Sequence, residues 1–323
     1  IIQMTAPSEH PAAVEAFLDH WAPSACIWIW GGLRPNLILD AAARNCALFL
    51  IDADADGFET RQNRWLPDLT RQVLAQFRRV IARSTEGYRR LMQLGLSAED
   101  VQQGTPLLAG GQVLPCVETD LNDLSEALQG RQTWFAAQVL PKEIPIILAA
   151  HRRALRLSHR LMLIMQPTGA DHADTATALA QDQNMSVTRW DDGQFPDETT
   201  QVLISAEPSD RGLFFRVAFL GTTLIQGKGG CDPLYAAALG SAILYGPKVD
   251  QFLPSYSRLA AAGAARIVND ADALGTAVSS LMAPDHAAAM AHAGWDVISK
   301  GAVLTDQVID LIQDVLDIEM SRP

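Results

Sequence analysis

Phe219–Gly246, reading FLGTTLIQGKGGCDPLYAAALGSAILYG, is the stretch whose residue types and spacing best suit chemistry. An apolar run ends at Gly221-Thr222-Thr223. A loop then carries Gly227, Lys228, Gly229 and Gly230, and Cys231-Asp232-Pro233 leads into a helical pattern that holds Tyr235. Glycines let the backbone approach a ligand closely, and free N–H groups at a helix start attract phosphate. Thr222 and Thr223 add hydroxyl donors, and Lys228 adds a positive charge. Arg216, just before the apolar run, is a further phosphate candidate, with Asp210 and Arg211 upstream of it. The same pattern also fits a surface loop in which Asp232 is an N-cap and Pro233 takes the first helical position. Arg216 would then sit in a weak surface ion pair.

Other chemistry-bearing residues fit bland roles better. Asp52, Asp54 and Asp56 resemble the start of a calcium loop, but Asn63 stands where the bidentate Glu would be needed. An acidic turn after a strand is expected, and no metal is. Asp191-Asp192-Gly193 is expected as a turn. His151 and His159 lie among Arg152, Arg153, Arg156 and Arg160, a basic run expected on a solvated face or against an anionic surface. No nucleophile elbow or local triad is present, so covalent hydrolase chemistry is not expected. The four cysteines, Cys26, Cys46, Cys116 and Cys231, are widely spaced without a CxxC pair. That points to free thiols in a reducing compartment rather than a disulfide framework or zinc site.

The elements that must position these residues alternate between strand and helix. Strands are expected at 25–30, 47–51 and 78–82, with helices at 36–45, 66–76 and 84–94 between and after them. Order β-α-β-α-β-α implies a parallel sheet with right-handed crossovers. The pattern weakens over 104–130, where Pro106, Gly110, Gly111 and Pro115 suggest a linker. It resumes with strands at 133–137, 161–165, 186–189, 201–204, 217–220, 242–245 and 265–268. The intervening and following helices are expected at 144–155, 171–183, 233–239, 253–262, 270–282, 284–299 and 305–318. The division expected is an N-terminal lobe over 1–125, a C-terminal lobe over 126–304 and a final helix over 305–323 that packs back on the first lobe. In such sheets ligands sit outside the carboxyl ends of the strands.

Composition bounds the reading. The chain has 323 residues, 48% hydrophobic and 19% charged, enough for two packed domains. A net charge of -12 argues against nucleic acid as a partner. No run approaches the ~20 apolar residues of a membrane span, and no signal-peptide pattern follows Ile1. The chain does not start with Met, so a trimmed N-terminus with an upstream anchor is an open expectation.

Order and spacing over about thirty residues resemble the Kdo (3-deoxy-D-manno-octulosonic acid) transferase family. The matching parts are Gly221-Thr222-Thr223-Leu224, Gly229-Gly230-Cys231-Asp232-Pro233-Leu234-Tyr235-Ala236-Ala237, Leu239-Gly240, Gly246-Pro247 and Gln251-Phe252. In the first lobe, Leu33-Arg34-Pro35-Asn36-Leu37-Ile38 is similar to the family's Leu-Trp-Pro-Asn-Leu-Ile. Trp134-Phe135-Ala136-Ala137 and Glu143 resemble the start of its donor lobe. The resemblance covers nearly the whole chain and lacks the family's first portion, with its membrane-proximal segment and the Gly-Glu motif that carries the base.

The chain also departs from the family. Cys231 replaces a His, Asp232 an Asn, and Tyr235 the Glu that holds donor ribose in transferases of this architecture. A Glu-x-Glu falls on Trp30-Gly31-Gly32, a Ser-Thr-His on Gln138-Val139-Leu140, and a Pro-Arg-His-Pro phosphate contact near Gln166-Pro167-Thr168-Gly169. Arg supplies bidentate phosphate bonds that these residues lack.

The resemblance implies a GT-B type protein of two Rossmann-like α/β lobes facing across a cleft, without cofactor or metal. A CMP-activated sugar donor would meet Gly221, Thr222, Thr223, Lys228, Gly229, Gly230, Cys231, Asp232, Pro233, Tyr235, Arg216, Gly246 and Pro247. A lipid A precursor would meet the acceptor side at Gly31, Gly32, Arg34 and Asn36. No residue here is assigned as catalytic base. The expected location is the cytoplasm, with peripheral inner-membrane contact through the missing N-terminal segment. Loss of the polar site residues equally fits a degenerate paralogue that binds or scaffolds, and a sugar-nucleotide epimerase shares the architecture.

Overall fold

The computed structural model describes residues 2–55, 67–104, 107, 118–206, 217–227 and 229–320. Asp56, Cys116, Asp210, Arg211, Arg216 and Lys228 lie outside the described residues. The chain divides into two compact units, Ile1–Ala109 with Lys300–Pro323, and Gly110–Ser299.

Unit 1 runs α1 (Pro11–Trp21), β1 (Ala25–Ile29), α2 (Pro35–Ala43), β2 (Ala47–Ala53), α3 (Pro67–Leu74), β3 (Arg79–Ala82), α4 (Thr85–Gln93) and β4 (Val101–Gln103). Its sheet is parallel in the order β1-β2-β3-β4. Every residue of β2 is buried, as a continuous apolar run flanked on both faces requires. On one face Leu48 and Leu50 pack with Val14, Leu18 and Ile38 of the helices. On the other, Phe49, Ile51 and Ile81 pack with Leu304 and Val315. Each large side chain buried this way contributes about 1.5–3 kcal/mol relative to exposure. Ser84 caps α4 by accepting from the Gly87 N–H at 3.0 Å, and Gly95 stops it at φ +95°.

Unit 2 contains α5 (Glu118–Leu128), β5 (Thr133–Val139), α6 (Ile144–Leu155), β6 (Met162–Pro167), α7 (Ala170–Asp182), β7 (Val187–Arg189), β8 (Val202–Ile204) and β9 (Val217–Leu220). After these come α8 (Leu234–Ala238), β10 (Ala242–Tyr245), α9 (Leu253–Ala261), β11 (Ala265–Ile267), α10 (Ala271–Leu281) and the start of α11 (Pro284–Met320). The seven-stranded sheet is parallel throughout, in the order β11-β10-β9-β5-β6-β8-β7. Its core joins Trp134, Ile147, Leu163, Phe219 and Leu244.

The expectation of two Rossmann-like α/β units is borne out, since both sheets are parallel and helix-flanked. Several elements differ from expectation. Helix α1 was not anticipated, because only Val14 and Leu18 along it are fully buried and the stripe is too narrow to show. The stretch expected as a linker, 104–130, contains α5, in which Leu124 alone among the described side chains is buried. The two last helices are one helix, α11, of 37 residues. Gly301 does not interrupt it; its carbonyl accepts from the Thr305 hydroxyl one turn on, at 3.3 Å.

Candidate functional site

Strand order places β5 beside β9. From β5 the chain goes to β6, on to β7 at the edge and back to β8 between them, then crosses to β9 on the other side of β5 and continues outward through β10 and β11. That reversal opens a crevice at the carboxyl ends of β5 and β9, the usual ligand position in open α/β sheets. The backbone is crowded there. A Cβ on Gly221 would lie 2.5 Å from the Gln138 carbonyl oxygen, so only glycine fits. Gln138 and Thr222, which flank this approach, both have left-handed φ, at 52° and 60°. For a β-branched residue such as Thr222 that conformation is strained.

One carboxylate holds the two loops together. Glu143, at the entrance to α6 and fully buried, accepts four backbone N–H groups. Its Oε2 takes Leu140 at 3.0 Å and Thr222 at 2.8 Å; Oε1 takes Thr223 at 3.0 Å and Leu224 at 2.9 Å. The successive N–H groups after β9 form the anion-accepting nest expected from the sequence. They are filled from inside, so the N–H groups of Thr222 and Thr223 are not open to a phosphate. The Thr223 hydroxyl is also committed. It donates to Leu220 O at 2.6 Å and accepts from Gly246 N at 2.7 Å. Gly246 packs so closely that a Cβ there would sit 2.3 Å from Thr223 O. The Thr222 hydroxyl is buried and has no hydrogen-bond partner among the described residues.

The glycine loop stands over β10 and α9. Gly229 and Gly230 have φ of 75° and 94°. The Gly229 carbonyl accepts from Gln251 N at 3.2 Å, while neither glycine N–H has an acceptor among the described residues. The Cys231 carbonyl accepts from the Tyr256 hydroxyl at 2.9 Å, and the Cys231 thiol lies 4.0 Å from Gly221 O. Burial holds the Tyr256 phenol well above its ordinary pKa, and its ring stacks on Tyr245 at 4.5 Å between centroids. Asp232 accepts from Leu234 N at 2.9 Å, but it stands one residue before the N-cap, which is Pro233 rather than the Asp232 expected, because the helix begins at Leu234. Pro233 is buried, Tyr235 is half-exposed and Pro247 is exposed.

In unit 1 the candidate acceptor residues are engaged locally. Arg34 donates to the Pro7 carbonyl. Asn36 donates its backbone N–H to Glu9 Oε2 at 2.9 Å and its amide to Glu9 O at 2.7 Å. Gly31 and Gly32 follow β1 in an exposed turn. Asp52 and Asp54 both face Arg83. Asp52 takes Arg83 Nε at 3.1 Å and Leu107 N at 2.8 Å, and Asp54 lies 3.6 Å from the same guanidinium. No cluster among the described residues could hold a metal ion.

His151 departs from expectation, because it is fully buried rather than on the basic face. Its Nδ1 accepts from the Trp134 indole at 3.1 Å and its Nε2 donates to Gln201 O at 3.0 Å, which fixes the neutral tautomer. Burial lowers its pKa from 6.5 to about 4. Arg152 and Arg153 beside it are exposed, as expected of that run; Arg153 pairs with Asp272 at 2.6 Å. Glu143 is the residue whose role the sequence did not disclose. The signal available, a Glu just before a helix, suggests only an N-cap.

Comparison with known proteins places the chain near one group. A family model described as 3-deoxy-D-manno-octulosonic-acid transferase (kdotransferase) matches residues 1–107. The 3-deoxy-D-manno-octulosonic acid transferase of Haemophilus influenzae is 23% identical over 96% of this chain and 74% of its own length. That of Bordetella pertussis is 27% identical over 96% of this chain and 73% of its own length. The chain is therefore homologous to these transferases, at low identity and broad coverage. Among solved structures, the C-terminal CMP-Kdo binding domain of WaaA from Acinetobacter baumannii matches with a TM-score of 0.53 and 22% identity. That match covers 56% of this chain and 96% of the domain. The UDP-GlcNAc 2-epimerase of Neisseria meningitidis, bound to UDP-GlcNAc, matches with a TM-score of 0.52 and 11% identity over 94% of this chain and 80% of its own. These likenesses concern the fold.

Proposed function

We propose that this protein is a glycosyltransferase of the Kdo transferase type. It would pass Kdo or a related acidic sugar from a CMP-activated donor to a lipid A precursor. The observation that carries the reading is the alignment with curated Kdo transferases along 96% of the chain. The reaction breaks the bond from the sugar's anomeric carbon to the CMP phosphate oxygen and forms one to an acceptor hydroxyl, whose proton is lost. The donor is placed at the carboxyl ends of β5 and β9. With Glu143 holding the nest, the donors left for a leaving phosphate are the N–H groups of Gly229 and Gly230. Preorganised donors of this kind stabilise charge as it develops. No helix among the described residues is long and apolar enough to cross a membrane. The reading places the protein in the cytoplasm, at a membrane surface through other contacts. Calorimetric titration of CMP into the purified protein tests it: saturable heat is expected, and a folded sample that gives none refutes donor binding.

A second reading, a degenerate paralogue that binds or scaffolds without transfer, is favoured by Trp30-Gly31-Gly32, Cys231 and Tyr235, which stand where the family has polar groups. In that case transfer requires at least Cys231→His and Tyr235→Glu, and turnover by the unaltered protein would defeat it.

A further inference from the structure

Unit 1 carries a pair of adjoining cavities whose linings include none of the donor-side or acceptor-side residues named above. The inner one, of about 180 Å³, lies between α1, α2 and the face of β1, and its walls are apolar, including Phe17, Trp28 and Leu37. The outer one, of about 410 Å³, is walled by Asp19, Ser24, Arg44 and Asn45. Leu18, Pro23 and Ala41 belong to both linings, so the apolar chamber abuts the polar one directly. An apolar cavity of ~150 Å³ stays dry and takes benzene. The inner chamber therefore has room for roughly six carbons or slightly more by the same measure.

The outer chamber sets the head group. Arg44 is already paired with Asp19, and Asp40 and Glu15 also act on it, so the mouth offers no unbalanced positive charge to a carboxylate or phosphate. Ser24 and Asn45, the latter in a left-handed turn at φ 62°, bring neutral hydrogen-bonding groups. We propose that these cavities form a binding site for a small amphiphile, with an alkyl or aryl end in the inner chamber and a neutral, hydroxyl-rich head in the outer one. The site sits at the amino ends of β1 and β2, where Ser24 and Cys46 precede the strands, and it does not depend on the transferase reading.

Hexyl glucoside, kept below its micellar threshold, is the probe. Trp28 lines the inner chamber, so saturable change in tryptophan emission is expected, and Trp28→Phe should remove it while calorimetry still detects binding. Ala41→Leu fills the shared wall and should weaken binding at least tenfold without lowering the thermal midpoint. Asn45→Gly keeps the left-handed turn, removes the amide, and should weaken binding several-fold. Hexanoate should bind at least tenfold more weakly than the glucoside. The proposal is overturned if the glucoside gives no saturable binding, if Ala41→Leu binds it equally well, or if hexanoate matches it. Should Ala41→Leu unfold, Ala25→Val, on another wall of the same chamber, replaces it with the same expected loss.

Discussion

Replacing Glu143 with Ala removes the acceptor for four buried N–H groups and leaves the space of a carboxylate between two loops. An unsatisfied buried donor costs about 1–3 kcal/mol. Four such groups would sum to about 4–12 kcal/mol, and water entering the vacated space restores part of it. The expected net cost is about 3–5 kcal/mol, the range for breaking a buried charge interaction by removing one partner. Against a total stability of about 5–15 kcal/mol that is a large fraction. Glu143→Gln keeps one acceptor oxygen but turns an NH₂ group towards two donors, so it should lose a smaller yet measurable share, about 2 kcal/mol. The assay is urea unfolding followed by tryptophan emission, to which Trp134, fully buried in β5, contributes. The midpoint should fall with the slope unchanged. Lys142→Ala, an exposed neighbour, should stay within ~0.5 kcal/mol of the parent. If Glu143→Ala unfolds within ~1 kcal/mol of the parent, the carboxylate is not what joins the β5 and β9 loops.

Two further outcomes follow from the same unit. His151 is neutral when folded, with a pKa of about 4, and ordinary when unfolded. The unfolded chain therefore binds the extra proton between about pH 6.5 and 4, and stability falls as pH falls through that window, by about 3 kcal/mol in all. His151→Gln should flatten that part of the stability–pH profile; an unchanged slope would show that His151 is not its source. Gly246→Ala forces a Cβ to within 2.3 Å of the Thr223 carbonyl and should destabilise by about 3 kcal/mol. Gly32→Ala, which meets nothing within 4 Å, should be nearly silent in the same thermal melt.

The elements that the sequence alone disclosed are the ones whose burial is written as a run. Val217–Leu220 and Ala242–Tyr245 lie where expected to the residue, because a strand covered on both faces needs four consecutive apolar side chains and leaves no other pattern. The glycines at 221 and 229–230 were legible for a similar reason: backbone geometry there restricts residue type locally. Helix α1 and α5 were not legible, since each buries too few side chains to mark a face. What fills the nest after β9 was beyond reach altogether. Glu143 stands 79 residues from Thr222, and only the pairing of β5 with β9 brings its carboxylate to those N–H groups. The same holds for His151, whose basic sequence neighbours suggest solvent while its helix face turns it onto Trp134 and Gln201. Sequence sets local conformation and burial; which polar groups satisfy one another across the chain is decided when the sheet closes, because a hydrogen bond depends on distance in space.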